Sequence, residues 1–380
     1  MKQNTFIILT LFGLTFLVLT GCQHEPALKT LALDQSSLNQ IYADNKYQTV
    51  INAGGNNEPT TNQLTDKGAA LGRVLFYDPR LSVNNVISCA SCHKQQYGFA
   101  DNQALSTGFQ GQSTLRNTPG IVNAATKSVF FWDGRVNSLE TQTLMPVKNH
   151  IEMGLEQTGV LPKKLASISY YPSLFMNAFG SSEITNEKVS MALAQFVRSI
   201  ASTSPNTMSA DAEAGRTLFF GKYKCGSCHA GSNLGGASLF VPYYPVTHAP
   251  TSIANTSNIG LDVKYTDEGI QALNGDPNQN GYFIIPSLRN VALTAPYMHD
   301  GRFKTLSDVI DHYSKGIAPH PNLDPILIDQ NFTAGQVIVT SGNPVKMNIS
   351  DTEKSQLIAF LTAMTDNSIT TDQKFSNPFK

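Results

Sequence analysis

Four of the five cysteines in this chain fall into one five-residue pattern that occurs twice, Cys89-Ala90-Ser91-Cys92-His93 and Cys225-Gly226-Ser227-Cys228-His229. At this spacing one backbone turn lets both thiols add to the vinyl groups of a porphyrin. The next residue then gives the iron its proximal imidazole, so C-x-x-C-H reads as covalent haem attachment. A redox dithiol or a disulfide has no use for the histidine that follows. A zinc site of four thiolates would leave both histidines unexplained. The motifs therefore imply two covalently bound haems c, held by Cys89, Cys92, Cys225 and Cys228, with His93 and His229 as proximal ligands.

The fifth cysteine, Cys22, bears on the compartment. Lys2 precedes an apolar run from Phe6 to Leu19, too short and wrongly flanked for a spanning helix, which reads as a secretory signal. The run ends Leu19-Thr20-Gly21-Cys22 and resembles a bacterial lipobox. Residues 1–21 are then a lipoprotein signal peptide, and Cys22 is the lipid-modified start of the mature chain. The other reading is an ordinary signal peptide with an incidental cysteine. Export agrees with haem attachment, which bacteria carry out beyond the cytoplasm. Gln23, in place of the Asp that often retains lipoproteins at the inner membrane, points to the outer one. The expectation is a periplasm-facing lipoprotein of the cell envelope, held to the membrane by its lipid anchor only. No later segment is apolar enough to span a bilayer. A net charge of −1 and a charged fraction of 14%, against a usual ~25%, exclude a nucleic-acid surface.

The elements that must position these motifs are duplicated. Gly72-Arg73-Val74-Leu75-Phe76 precedes the first haem motif and Gly215-Arg216-Thr217-Leu218-Phe219 the second. Leu115-Arg116-Asn117 and Trp132-Asp133-Gly134-Arg135 follow the first. Leu288-Arg289-Asn290 and His299-Asp300-Gly301-Arg302 follow the second. Thr65 caps a helix bearing Leu71, Val74 and Leu75, and Asp211 or Ser209 starts its counterpart. Ser350-x-x-Glu353 is a capping box ahead of a core stripe of Leu357, Phe360, Leu361 and Met364. Strand signals are few beyond a short hairpin around Gln336 to Met347.

The fold class expected is mostly α: two cytochrome c-like haem lobes in a pseudo-two-fold relation, with long irregular loops and little strand. Residues 22–64 form an N-terminal tether with a short helix at Leu38 to Val50. The first haem domain covers 65–201, a linker 202–208, the second haem domain 209–366 and a tail 367–380.

From about residue 65 to 365 the chain resembles the bacterial di-haem cytochrome c peroxidases and their relative MauG, the maturation enzyme of a tryptophan-derived quinone cofactor. Phe131-Trp132-Asp133-Gly134-Arg135 through Glu152-Met153-Gly154, and Pro286-Ser287-Leu288-Arg289-Asn290 through Tyr297-Met298-His299-Asp300-Gly301, carry the match. The resemblance implies that Trp132 relays electrons or holes between the haems. It also implies that Gln142 and Glu152, with Pro146 between them, form the distal pocket of the first haem. Splitting hydrogen peroxide needs a base to move a proton between its oxygens. A carboxylate can do this, whereas a glutamine can only orient. Asn117, Thr294 and Pro296 match a calcium site between the lobes, built from oxygen ligands as a hard cation prefers.

Two departures from the peroxidases stand out. Twenty residues beyond Cys89, where they carry a distal histidine, this chain has Phe109. The first haem is thus expected to be open on its distal side without reductive activation. Fourteen residues beyond His299, where they carry an axial methionine, stands Tyr313, as in the MauG-type enzymes. Met298 is the rival ligand of the second iron and His312 a lesser one. Phenolate lowers an iron potential and thioether raises it.

These features point to a peroxide-dependent oxidoreductase of the MauG type, which turns its oxidising power on a protein or other large substrate. The alternative is a cytochrome c peroxidase that removes hydrogen peroxide using a small periplasmic redox protein as electron donor. A pure electron-transfer cytochrome is a third reading, and the Glu152–Gln142 pair argues against it.

Overall fold

The two Gly-Arg-x-Leu-Phe segments lie on helices, and in both the glycine is the point where a second helix crosses. The computed structural model describes Leu33, Tyr47 and residues 57–202, 207–231, 233–235, 255–333 and 336–379, with 330–342 as backbone alone. The signal peptide, Cys22, the expected Leu38–Val50 helix apart from Tyr47, and linker residues 203–206 lie outside these. The Asp66–Tyr77 helix is capped by Thr65, whose hydroxyl accepts from Gly68 N at 3.0 Å, and packs on the Asn186–Ser199 helix. The Ala210–Thr217 helix, capped by Ser209 rather than Asp211, packs on Asp351–Ala363, which opens with the expected Ser350–Glu353 capping box.

A Cβ on Gly72 would lie 2.0 Å from the Ala192 carbonyl oxygen, and one on Gly215 would lie 1.9 Å from that of Gln356. Only glycine lets the backbones come this close. The phenylalanine four residues on faces both the crossing helix and the haem motif. Phe76 meets Phe196 at 5.2 Å and His93 at 6.5 Å. Phe219 meets Phe360 at 5.2 Å and His229 at 6.4 Å. The repeat thus encodes one packing unit, which backs each proximal imidazole with a buried ring. Leu357, Phe360, Leu361 and Met364 are all buried in the second core, as their spacing requires.

The structure changes the register of one part of the repeat. The residue equivalent to Asn290 is Asn123, not Asn117. Both adopt positive φ, 59° at Asn123 and 62° at Asn290, and each precedes a 3-10 turn. The Asn123 amide donates to Ile200 O and the Asn290 amide to Met364 O, each at the end of its crossing helix. Their side-chain nitrogens both donate to Ser202 Oγ, at 3.2 and 2.9 Å. Three identical letters misled because backbone conformation, which defines the equivalence, is not visible in them.

Outside these units regular structure is sparse, as expected. Among the described residues the strands form two antiparallel pairs, Thr256–Ser257 with Phe283–Ile284 and Ile328–Thr333 with Gln336–Pro344. The hairpin therefore starts earlier than its sequence signal suggested. Among the described residues no helix is long and apolar enough to cross a membrane.

Both ends of the described chain are tied to the first haem unit. Arg198, fully buried, grips Glu140 through two nitrogens at 2.6 and 2.8 Å and Asn57 Oδ1 at 2.9 Å. The C-terminal segment is a strap. Phe375 inserts against Phe99 and Phe196, and Arg73 Nε, Tyr77 Oη and Gln95 Nε2 donate to its carbonyl groups. Arg73, from the repeated Gly-Arg pair, thereby gains a partner far away in sequence.

Candidate active site

Each proximal histidine has its orientation set by a backbone carbonyl. His93 Nδ1 lies 2.9 Å from Phe99 O, and His229 Nδ1 lies 3.0 Å from Leu234 O. A carbonyl can only accept, so each Nδ1 carries the proton and Nε2 keeps its lone pair for a metal. Phe99 and Leu234 reach these positions through positive φ, 58° and 50°. None of the four cysteines beside them forms a disulfide.

His93, Cys89 and Cys92 line a cavity of about 1170 Å³, which Gln142, Pro146 and Glu152 also line. Three turns set that wall. Gln142 ends the Leu139–Gln142 helix, Pro146 lies in the next, Met145–Lys148, and Asn149 Oδ1 accepts from the amides of Ile151 and Glu152. The structure thus brings the sequence-derived pocket residues together. Burial holds the Glu152 carboxyl above the usual carboxylate range, with the Arg135 charge opposing the shift. No hydrogen bond from the described residues reaches that carboxyl. Such a group takes and gives up protons nearer neutrality than an exposed glutamate does. Phe109 lies elsewhere: its amide donates to Glu152 O and its ring packs over Gly154.

The second cavity, about 560 Å³, is lined by His229, Cys225, Cys228, Tyr313 and Met298. Tyr313 sits in a π-helical turn, His312–Gly316, that extends the Leu306–Asp311 helix. Such turns are frequent at functional sites because they re-aim one side chain. Burial raises the Tyr313 phenol far above its ordinary pKa, so the phenolate form requires a cation beside it. His312 is committed elsewhere, its Nε2 2.9 Å from Ile259 O. Asn117, Thr294 and Pro296 also line this cavity. Asn117 Nδ2 donates to Gln103 O and Ala104 O, so Oδ1 is the side-chain atom left to accept or ligate.

Trp132 lines both cavities. Its Nε1 donates to Asn117 O at 2.8 Å, which fixes the indole between them. Lys127 and Asp267 of this seam went unremarked in the sequence. Arg116 joins Asp133 at 2.6 Å to Asp267 at 2.6 Å. Arg135 stacks on Phe131, 3.6 Å from the ring centroid. Lys127 reaches both cavities. Nothing in the local pattern marks Lys127 or Asp267, and the Arg116–Asp267 pair joins segments distant in sequence.

Two paired thiols and one imidazole with a free Nε2 at each of two cavities fit haem c twice over. The site and fold define a di-haem c-type cytochrome. Residues 66–212 match the family model for di-haem cytochrome c peroxidase. The methylamine utilization protein MauG of Methylorubrum extorquens is 34% identical over 70% of this chain and 73% of its own length. The cytochrome c551 peroxidase of Nitrosomonas europaea is 32% identical over 64% of this chain and 71% of its own. Among solved structures, a MauG-like protein associated with microbial copper homeostasis superposes with a TM-score of 0.73. It is 31% identical and covers 88% of this chain and 99% of that one. The chain belongs to the di-haem cytochrome c peroxidase family, and it is an oxidoreductase carrying two haems c.

Proposed function

We propose that the protein activates hydrogen peroxide at the first haem and directs the oxidising equivalents to a protein or other large substrate, in the manner of MauG. The observation that carries this reading is Tyr313 on the wall of the second haem cavity, at a π-helical turn, beside Cys225 and Cys228. A tyrosine ligand lowers the potential of that centre, where methionine would raise it.

The haems, when bound, supply the irons and the redox equivalents. His93 and His229 would hold the irons through Nε2, and Tyr313 would be the second residue to hold the iron at the second. Glu152 takes a proton from one peroxide oxygen and returns it to the other, which then leaves as water. Gln142 orients the peroxide by hydrogen bonding, and Pro146 shapes the wall. Trp132 provides a polarisable, oxidisable ring between the cavities. With Phe109 packed over Gly154, no histidine from that position would cap the first iron, so the resting ferric protein would be high-spin there and would need no prior reduction. Asn117 Oδ1 and the carbonyls of Thr294 and Pro296 bind one calcium ion, with waters completing the shell. The chain is an envelope lipoprotein facing the periplasm, acylated at Cys22, with the outer membrane favoured by Gln23.

A second reading, hydrogen peroxide removal with a small periplasmic redox protein as donor, is favoured by the peroxidases among the relatives and by Met298 on the same cavity wall. Spectra of Tyr313→Phe and Met298→Leu separate the two. The MauG-like reading expects the tyrosine variant to alter the second haem's spectrum and the methionine variant to leave it unchanged. The reverse pattern makes the protein an ordinary cytochrome c peroxidase.

A further inference from the structure

We propose that Lys127 is the countercharge for a haem propionate at the seam between the two haem cavities. The proposal starts from a lysine with no anion beside it among the described residues. Lys127 follows the Ala124–Thr126 turn and lines both cavities. Among the described residues it has no ion pair, and its hydrogen bond is a long one, 3.5 Å to Gly120 O. Of the four acids along the first cavity, Asp133 and Asp267 are both engaged by Arg116, and neither Glu152 nor Glu268 forms an ion pair with Lys127. The segments 203–206 and 236–254 contain no Asp or Glu, and the acids before Asn57 are Glu25, Asp34 and Asp44.

Burial lowers the Lys127 pKa, and no anion offsets this. A half-buried cation without a partner is unfavourable, because the hydration it loses is not replaced. The cost disappears if an anion arrives with whatever fills the cavity. The group that these cavities fit brings its own, since each haem c carries two propionates. Burial lowers the His93 pKa and the Lys127 charge acts in the same direction, so Lys127 lies within electrostatic range of that imidazole.

The repeat gives independent support. Counting back from Asp133 and from Asp300, Lys127 occupies the position of Thr294 in the second unit. A residue needed only for packing the shared unit would have a similar counterpart, and threonine is neither long nor charged. Lys127 is therefore a positioning and electrostatic residue particular to the first half. It holds a carboxylate of the prosthetic group and makes reduction of that haem easier.

The proposal rests on the two-haem reading, so the starting material is holoprotein shown by intact mass to carry both haems. Spectroelectrochemical titration is then run on wild type, Lys127→Met and Lys127→Arg. Removing the cation should lower the midpoint potential of one haem, and arginine should keep it near the wild-type value. The haem that moves is the one whose propionate Lys127 holds. In resonance Raman spectra the propionate bending band of that haem should shift in Lys127→Met and not in Lys127→Arg. Unchanged potentials and unchanged propionate bands in fully loaded Lys127→Met would overturn the proposal. If Lys127→Met does not mature, wild-type holoprotein carries the test. A propionate band that moves in deuterated water supports the contact, and one that is insensitive opposes it.

Discussion

Trp132 and His299 hold the same position in the two repeats, and their rings meet edge to face with 6.5 Å between centroids. Each is followed by Asp-Gly-Arg, and each is preceded by a residue with positive φ, Phe131 at 66° and Met298 at 76°. The backbone closes the pair. Trp132 Nε1 donates to Asn117 O, and Asn117 N donates to His299 O at 2.7 Å. Duplication has thus placed an oxidisable indole from one half against an imidazole from the other, where both cavities meet.

Trp132→Phe keeps an aromatic ring but loses the hydrogen bond to Asn117. Both haems should remain attached, by intact mass, and the first haem should still react with peroxide in stopped-flow mixing. Steady-state oxidation that draws electrons through the second haem should collapse. Full turnover in this variant would take Trp132 off the electron path.

Glu152 is raised above the ordinary glutamate range by burial, and its carboxylate is the form that accepts a proton. The rate of reaction with peroxide should therefore climb with pH through a midpoint above 4.5 and then level off. Glu152→Gln should flatten that limb and slow the reaction by roughly 100- to 10,000-fold, the usual range for a lost acid–base group. Arg135 favours the charged form, so Arg135→Ala should move the limb to higher pH. A pH-independent wild-type rate would return Glu152 to a structural role.

Gly72→Ala and Gly215→Ala test the two helix crossings. The added methyl would meet backbone oxygens that cannot rotate away. Each substitution should cost about 1–3 kcal/mol, the range for overpacking a well-filled core. Thermal unfolding of the holoprotein reads this as a lowered Tm in both variants. A Tm at the wild-type value in either would mean that the crossing relaxes freely.

Phe375→Ala tests the C-terminal strap. The ring is buried between Phe99 and Phe196, so its loss should cost about 3–5 kcal/mol, as for other buried aromatic truncations. Because Phe99 O orients His93, the first haem's absorption should change while the second haem's does not. Equal changes at both haems would mean that the strap serves the whole body rather than the first site.

The chemistry of this protein was legible because it is written in contacts between near neighbours. A C-x-x-C-H pair, the Thr65 cap and the Ser350–Glu353 box each operate within a few residues, so spacing alone reveals them. The core stripe at Leu357, Phe360, Leu361 and Met364 was legible for the same reason, since helical period decides which side faces inward. The pocket residues Gln142 and Glu152 came from the resemblance instead. Their convergence on one cavity depends on turns at Gln142, Pro146 and Asn149 that carry no strong sequence mark.

Tertiary structure decided what depends on chain segments far apart in sequence. The repeat register at Asn123 was hidden because positive φ and a shared bond to Ser202 define it, not residue letters. The tail became a strap because Arg73, Tyr77 and Gln95 needed carbonyl partners and Phe375 needed a cavity, none of them local. The neighbours of Arg116 and Lys127 in sequence do not show what either cation pairs with. The fold gives one of them two aspartates and leaves the other facing the haem cavities, because burial and the supply of partners are properties of the assembled chain.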